Sequence, residues 1–348
     1  MVSICVVGCG GMGRHHIRYI TPDTGLAVTS VYDINPEKTA KLGRPGRKVY
    51  SSYEQVLADP AVDAVLLAVP NNFHRPMAIQ ALGAGKHVIS EKPVTLDSTE
   101  LSDIIAASEK AGRLFTVHQN RRWDRDFCIV RKAIADGLVG KPFYIESRVQ
   151  GSNGVPGDWR CVKEAGGGML LDWGVHLIDQ LLFMVKSPVT SVFAHLLSVR
   201  FPDVDDNFKV LLRFENDLSA LVEVDTYCLD PLPRWHVSGD AGTLVVRDWD
   251  CNGGITRVKE STMHWEPGIV YTAAGPTRTM APRPVETIEK IPLPAVETDE
   301  KDYYRNFVRA VEQGEKLAVQ PAEAMRVMRV IDAAFQSEKE RIAVRCHI

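Results

Sequence analysis

Along the first third of the chain, short apolar runs alternate with longer stretches in which apolar positions recur every three or four residues. The runs at 4–7, 26–32, 62–69, 87–90 and 114–117 have the length and β-branching of strands covered on both faces. Between them, 76–82 and 101–111 carry helical spacing, and Asn35-Pro36-Glu37 reads as a helix start with proline in the first turn. This alternation predicts an α/β fold built on a doubly wound parallel sheet. After Arg122 the pattern changes. Residues 127–134 predict a connecting helix ended by Gly137, and 143–149 alternate as a strand. A loop is expected at 151–157 and an apolar helix running to Met184. From 189 to 246, runs at 192–194, 208–214, 218–227, 234–237 and 243–246 are separated by turn signals such as Glu215-Asn216-Asp217. They predict a mostly antiparallel open sheet, one face on helices and the other free for another subunit. Residues 252–294 mix proline and glycine with short apolar runs and predict irregular structure or a loose hairpin. Two terminal helices are expected at 303–311 and 322–335. The expected domains are 1–122 and 123–348, with the terminal helices able to pack back on the first.

Composition narrows the class. A chain of 348 residues with 45% hydrophobic and 24% charged positions has enough apolar surface for two cores. The formal net charge of -3 gives no basic footprint for nucleic acid or an anionic membrane. No apolar run approaches the roughly 20 residues of a membrane span, and the start lacks a signal-peptide layout. Seven scattered cysteines without a C-x-x-C pair suggest reduced thiols in a cytoplasmic protein.

The first run leads directly into Gly8, Gly10 and Gly13, the G-x-G-x-x-G spacing of a dinucleotide loop. In this reading Gly8 permits the turn, Gly10 lets the backbone approach a pyrophosphate, and Gly13 lets the helix pack close to the sheet. Gly11 and Met12 complete the cradle at the helix start. The second strand ends at Asp33, placed to accept from the adenosine ribose hydroxyls. No arginine follows it directly, so NAD is favoured over NADP, a preference that Lys38 or Arg44 would weaken. Ligands of such sheets bind beyond the carboxyl ends of the strands, where Asn71, Asn72, His74, Glu91, Lys92, Gln119 and Asn120 fall, with Pro70 ending its strand and also expected at the cofactor.

Candidate chemistry lies in two places. Asp172 and His176 are four residues apart and share one face of a helix, after Gly166-Gly167-Gly168, which would let the helix start approach a ligand. They suit proton transfer, equally a helix-stabilising pair, or, with Asp179, part of a metal site. Lys92, in Glu91-Lys92-Pro93, suits binding of a substrate oxygen or plain solvation. A cis bond before Pro93 would aim it inward.

Taken together, Gly8-x-Gly10-x-x-Gly13, Asp33, Pro70-Asn71-x-x-His74, Glu91-Lys92-Pro93 and Gly167-Gly168-x-x-x-Asp172-x-Gly174-x-His176-x-x-Asp179 resemble the Gfo/Idh/MocA oxidoreductase family. The resemblance implies an N-terminal Rossmann domain and a C-terminal domain whose open sheet builds a homodimer or homotetramer. It implies that Lys92, Asp172 and His176 are catalytic. Trp159 and Arg160 are then expected to close over the nicotinamide end. The stretch from Gln119 to Asp124 is similar to members acting on inositols, sugars or glycosides. The expected activity is oxidation of a secondary hydroxyl on a sugar, a glycoside or a cyclitol. A pyranoside oxidised at its 3-hydroxyl is favoured over free inositol. An inositol dehydrogenase, a keto-sugar reductase and a non-catalytic NAD sensor are the alternatives.

Overall fold

The computed structural model describes every residue except 263, 265–267 and 279–281. The N-terminal part runs β1 (Val2–Val7), α1 (Gly11–Tyr19), β2 (Leu26–Tyr32), α2 (Pro36–Thr39), β3 (Lys48–Val49), α3 (Tyr53–Ala58), β4 (Ala64–Leu67), α4 (His74–Gly83), β5 (His87–Ser90), α5 (Ser98–Ala111) and β6 (Phe115–Val117). Its six strands are parallel, in the order β3-β2-β1-β4-β5-β6. Ile4 to Val7 and Ala64 to Leu67 are completely buried at its centre. Continuous apolar strands are the consequence of covering a sheet on both faces. The strand order reverses between β1 and β4, which opens a crevice beyond their carboxyl ends.

The chain continues through α6 (Arg125–Ala135), β7 (Pro142–Gln150), α7 (Val175–Met184), β8 (Val189–Leu197), β9 (Asn207–Phe214), β10 (Ser219–Asp225), β11 (Trp235–Gly239), β12 (Gly242–Val246) and β13 (Gly253–Val258). A ribbon of β14 (Val270–Thr272) and β15 (Gly275–Thr277) follows, then β16 (Ile288–Ile291), α8 (Asp302–Gln313), α9 (Pro321–Glu340) and β17 (Val344–Arg345). Nine of these strands form one sheet, in the order β16-β13-β12-β11-β7-β10-β9-β8-β17. Only the β7–β10 neighbours in it are parallel. Helix α9 packs on β8 and on α7, covering one face. On the other face Phe193, Leu211 and Leu221 are cross-strand neighbours, and Phe193 and Leu211 are each 44% exposed.

The α/β architecture, parallel sheet plus mostly antiparallel sheet, is the one the hydrophobic pattern predicts. Residues 252–294 depart from it. The ribbon β14–β15 answers to the expected hairpin, but β13 and β16 are regular strands of the large sheet; part of the stretch lies outside the described residues. Of the glycines that obscured β13, Gly253 is required there: at φ +154°, a Cβ on it would lie 1.9 Å from the Val245 carbonyl oxygen. The terminal helices touch both sheets. Helix α8 packs on β2, and α9 on α5 and β6.

Candidate active site

The glycine loop has the shape its spacing calls for. Gly8 turns the chain at φ +91°, and a Cβ there would lie 2.3 Å from the Ala68 carbonyl oxygen. A Cβ on Gly13 would lie 1.8 Å from the Gly8 carbonyl oxygen, so α1 can start this close to β1 only with glycine. Gly10 and Gly11 face open space within 4 Å, and no side chain caps the start of α1. The first-turn amides of Gly11, Met12 and Gly13 are therefore free to meet a diphosphate. The side chain of Asp33 ties this loop down: its Oδ2 accepts the Cys9 amide at 2.7 Å and its Oδ1 the Asn35 amide at 2.9 Å. Lys38 Nζ lies 3.9 Å from the same carboxylate.

Three residues expected at the cofactor have side chains bonded within the protein. Asn71 is buried and donates to the Gly166 carbonyl at 3.0 Å, linking the two sheets' loops. His74 is buried with Nδ1 2.9 Å from the Pro93 carbonyl, while its Nε2 has no partner. Glu91 is buried, its Oε1 2.8 Å from His16 Nε2 and 2.9 Å from His118 Nδ1; its Oε2 accepts the Lys92 amide at 3.1 Å. The Tyr304 hydroxyl lies 2.8 Å from His16 Nδ1. Burial, then the neighbouring His118, lowers the His16 pKa to about 4. Burial works against ionisation of Glu91, yet His118 and His16 hold its carboxyl well below the usual range. Among the described residues, this buried His16–Glu91–His118 group is where carboxylate and imidazole atoms come close enough to share an ion. Sequence reasoning missed it, because the three residues come from α1 and from the ends of β5 and β6. Only Glu91 and His118, at the ends of β5 and β6, carried a shared positional signal; His16, on α1, carried none.

Lys92 follows through a cis bond to Pro93. Its Nζ donates to Asp172 Oδ1 and to the Asp172 carbonyl, both at 2.8 Å. Asp172 Oδ2 accepts from Arg160 Nε at 3.0 Å. Burial would raise the Asp172 pKa, but the Lys92 and Arg160 charges hold it below the ordinary value. The four-residue spacing suggested an Asp172–His176 contact. It does not form, since two full cations outcompete a neutral imidazole for the carboxylate. Asp172 sits in a π-helical turn, Leu170–Gly174, that widens into α7. Such turns insert a residue into the ladder and re-aim the side chains they carry. His176, one turn on, is 4% exposed with Nδ1 unpartnered. Burial, then the Lys92 and Arg121 charges, keeps its pKa well below the ordinary value, so the imidazole is neutral at pH 7.

The triple glycine is required by the chain's own close packing. A Cβ on Gly166 would meet Leu96 and Asn71, on Gly167 the Arg160 carbonyl, and on Gly168 Asp205. Asp179 is held bidentately by buried Arg122, at 2.6 and 2.7 Å, and so does not join Asp172 and His176. Arg160 stacks on Trp159 at 4.6 Å, and Asp158 Oδ2 accepts from its Nη1 at 2.8 Å. Asn120 begins a 3-10 turn after β6, at the carboxyl edge of the parallel sheet. Pro70 precedes Asn71 at the end of β4.

An oxidoreductase family profile with an NAD-binding Rossmann fold matches residues 2–119, and the profile of the GFO/IDH/MocA C-terminal domain matches residues 127–245. The crystal structure of an NAD-binding protein from Listeria innocua superposes with a TM-score of 0.94 at 43% identity, covering 99% of both chains. The scyllo-inositol 2-dehydrogenase (NADP+) IolW of Bacillus subtilis is 28% identical over 91% of this chain and 89% of its own. The 1,5-anhydro-D-fructose reductase of Ensifer adhaerens is 28% identical over 70% of this chain and 75% of its own.

Proposed function

Since the chain belongs to the Gfo/Idh/MocA family of NAD(P)-binding oxidoreductases, we propose that it oxidises a secondary hydroxyl on a sugar, glycoside or cyclitol ring to a ketone, with a pyranoside favoured. The observation that carries this reading is the meeting of Lys92, Asp172 and a neutral His176 beyond the carboxyl ends of the parallel strands. A bound nicotinamide would supply the acceptor for the hydride of the carbinol carbon. His176 takes the hydroxyl proton, its imidazole kept unprotonated by burial and by the Lys92 and Arg121 charges. The Lys92 ammonium donates to the same oxygen as negative charge grows on it. Asp172 holds that ammonium in place and is itself held by Arg160. In the reductive direction the same residues return the proton.

Gly8, Gly10, Gly11, Met12 and Gly13 would cradle the diphosphate. Asp33 would accept from the adenosine ribose, which favours NAD. Lys38 beside it, and the NADP+ in the printed name of one relative, are reasons to measure both cofactors. The exposed Phe193 and Leu211, with half-buried Leu221 beside them, support a homodimer or homotetramer formed through the open sheet face.

The test is initial-rate NADH formation with glucose, methyl glucosides, galactose, myo-inositol and scyllo-inositol, repeated with NADP. Turnover on pyranosides, lost in His176→Ala while NADH still binds, is expected. Turnover on inositols alone would move the reading to cyclitols. NADH binding without turnover in either direction would overturn it in favour of a sensor.

A further inference from the structure

Beyond His176 the site continues into a surface that the hydride-transfer residues do not use. The Trp173 ring stands edge-on to the His176 ring at 6.0 Å, and the Trp249 ring lies tilted 6.2 Å beyond it. These two steps put Trp249 within about 12 Å of the His176 imidazole. Trp249 comes from the connection between β12 and β13, far from Trp173 in sequence. It is 49% exposed, although a tryptophan in contact with a second tryptophan could be covered at little cost.

Two guanidinium groups fix the pair. Arg121 lies over the Trp173 ring at 4.1 Å and near the Trp249 ring at 5.6 Å; Arg234 lies over Trp249 at 4.9 Å. Both arginines are held from behind. Arg121 donates to Asp124 at 2.9 Å, and Arg234 to Ser147 at 2.8 Å and to Gln180 at 3.2 Å. Gln180 sits one turn after His176 on α7 and donates to the Arg121 carbonyl at 2.6 Å. The helix that carries His176 therefore also sets the arginines against which the indoles rest. Asp124 and Asp126 pair with the two cations, and the indoles offer flat apolar faces beside them.

We infer that Trp249, with Trp173, forms a stacking subsite for a second ring, and that the substrate is a glycoside carrying a sugar or aryl aglycone rather than a free monosaccharide or cyclitol. This rests on the proposed oxidation at Lys92 and His176. With the reacting ring at His176, a linked ring extends along Trp173 and lays its apolar face on the exposed indole. Rigid aromatic side chains make such contacts with little loss of rotamer freedom.

The matched probes are methyl and phenyl glucopyranosides of each anomer, which differ only in the aglycone. Their binding to the NADH-loaded protein is measured by calorimetry, and their oxidation by NADH formation. The phenyl glycoside is expected to bind about tenfold more tightly, with the gain appearing in KM rather than kcat. Trp249→Ala should remove that ratio and Trp249→Phe should keep most of it. Equal affinity for the two probes, or a ratio that survives Trp249→Ala, overturns the subsite. So does a fall in oligomeric mass in Trp249→Ala by sedimentation with the ratio intact, which would assign the indole to a subunit contact. A tenfold ratio without turnover keeps the subsite and removes the proposed oxidation. Turnover with no ratio does the reverse. Neither binding nor turnover counts against both.

Discussion

Replacing Asp205 by asparagine should change how stability depends on pH more than it changes stability at acidic pH. Asp205 lies between β8 and β9, buried, and its Oδ2 accepts the Leu170 amide at 2.7 Å where the π turn begins. Burial raises its pKa to about 7; the backbone hydrogen bond from Leu170 opposes this and the Asp206 charge adds to it. An unfolded aspartate titrates near ~3.9. Between these values the folded chain keeps a proton that the unfolded chain releases. Stability must therefore fall as pH rises from about 4 to about 7, and level off above that. A three-unit difference corresponds to about 4 kcal/mol, of which about 2.5 kcal/mol falls between pH 5 and pH 8. Asp205→Asn keeps an acceptor for Leu170 and cannot ionise. Its stability relative to wild type should rise by about 2.5 kcal/mol across that interval. Urea unfolding followed by tryptophan fluorescence at successive pH values measures it. Parallel pH curves for the two proteins would refute the reasoning.

Lys92→Met should lower turnover by about 10²–10³. Because the Lys92 charge helps depress the His176 pKa, it should also move the acid limb of the pH–rate profile upward; an unmoved limb would separate the two residues. Gly13→Ala places a methyl 1.8 Å from the Gly8 carbonyl oxygen. NADH binding, followed by fluorescence titration, should be lost or weakened severely, and wild-type affinity would contradict the close packing of α1. Arg122→Met strands Asp179 without its buried partner and should cost about 3–5 kcal/mol in urea unfolding. A cost below about 1 kcal/mol would mean the pair is solvated.

The parallel sheet was readable because burial on both faces leaves uninterrupted apolar runs, and the glycine loop because Gly8 and Gly13 each answer to a close steric contact while Gly10 and Gly11 leave open space. Strand β13 was not, since Gly253 serves close backbone approach and, with Gly254, leaves only Ile255 in the core. In the site, the family resemblance grouped Lys92, Asp172 and His176, whereas helical spacing alone paired Asp172 with His176. Lys92 and Arg160 reach Asp172 from elsewhere in the chain. The π turn leaves no mark in residue type. Glu91 was legible as a strand-end residue, but its two histidines were not, because each reaches it from a different element. Trp249 stood between the strand expected at 243–246 and the irregular stretch from 252, in no predicted element, and was passed over.

The hydrogen bond between His16 and Tyr304 spans 288 positions. During synthesis, α1, Glu91 and His118 leave the ribosome while α8 and α9 are still unmade. Until then the polar group behind Lys92 lacks its tyrosine, and β2 and β6 lack the helices that pack on them. The nucleotide-binding sheet is thus completed only by helices made long after its own strands. A premature stop before Asp302 would spare every glycine of the loop and every catalytic candidate, yet release a product with its sheet flanks bare, marked for chaperones and proteases rather than for chemistry.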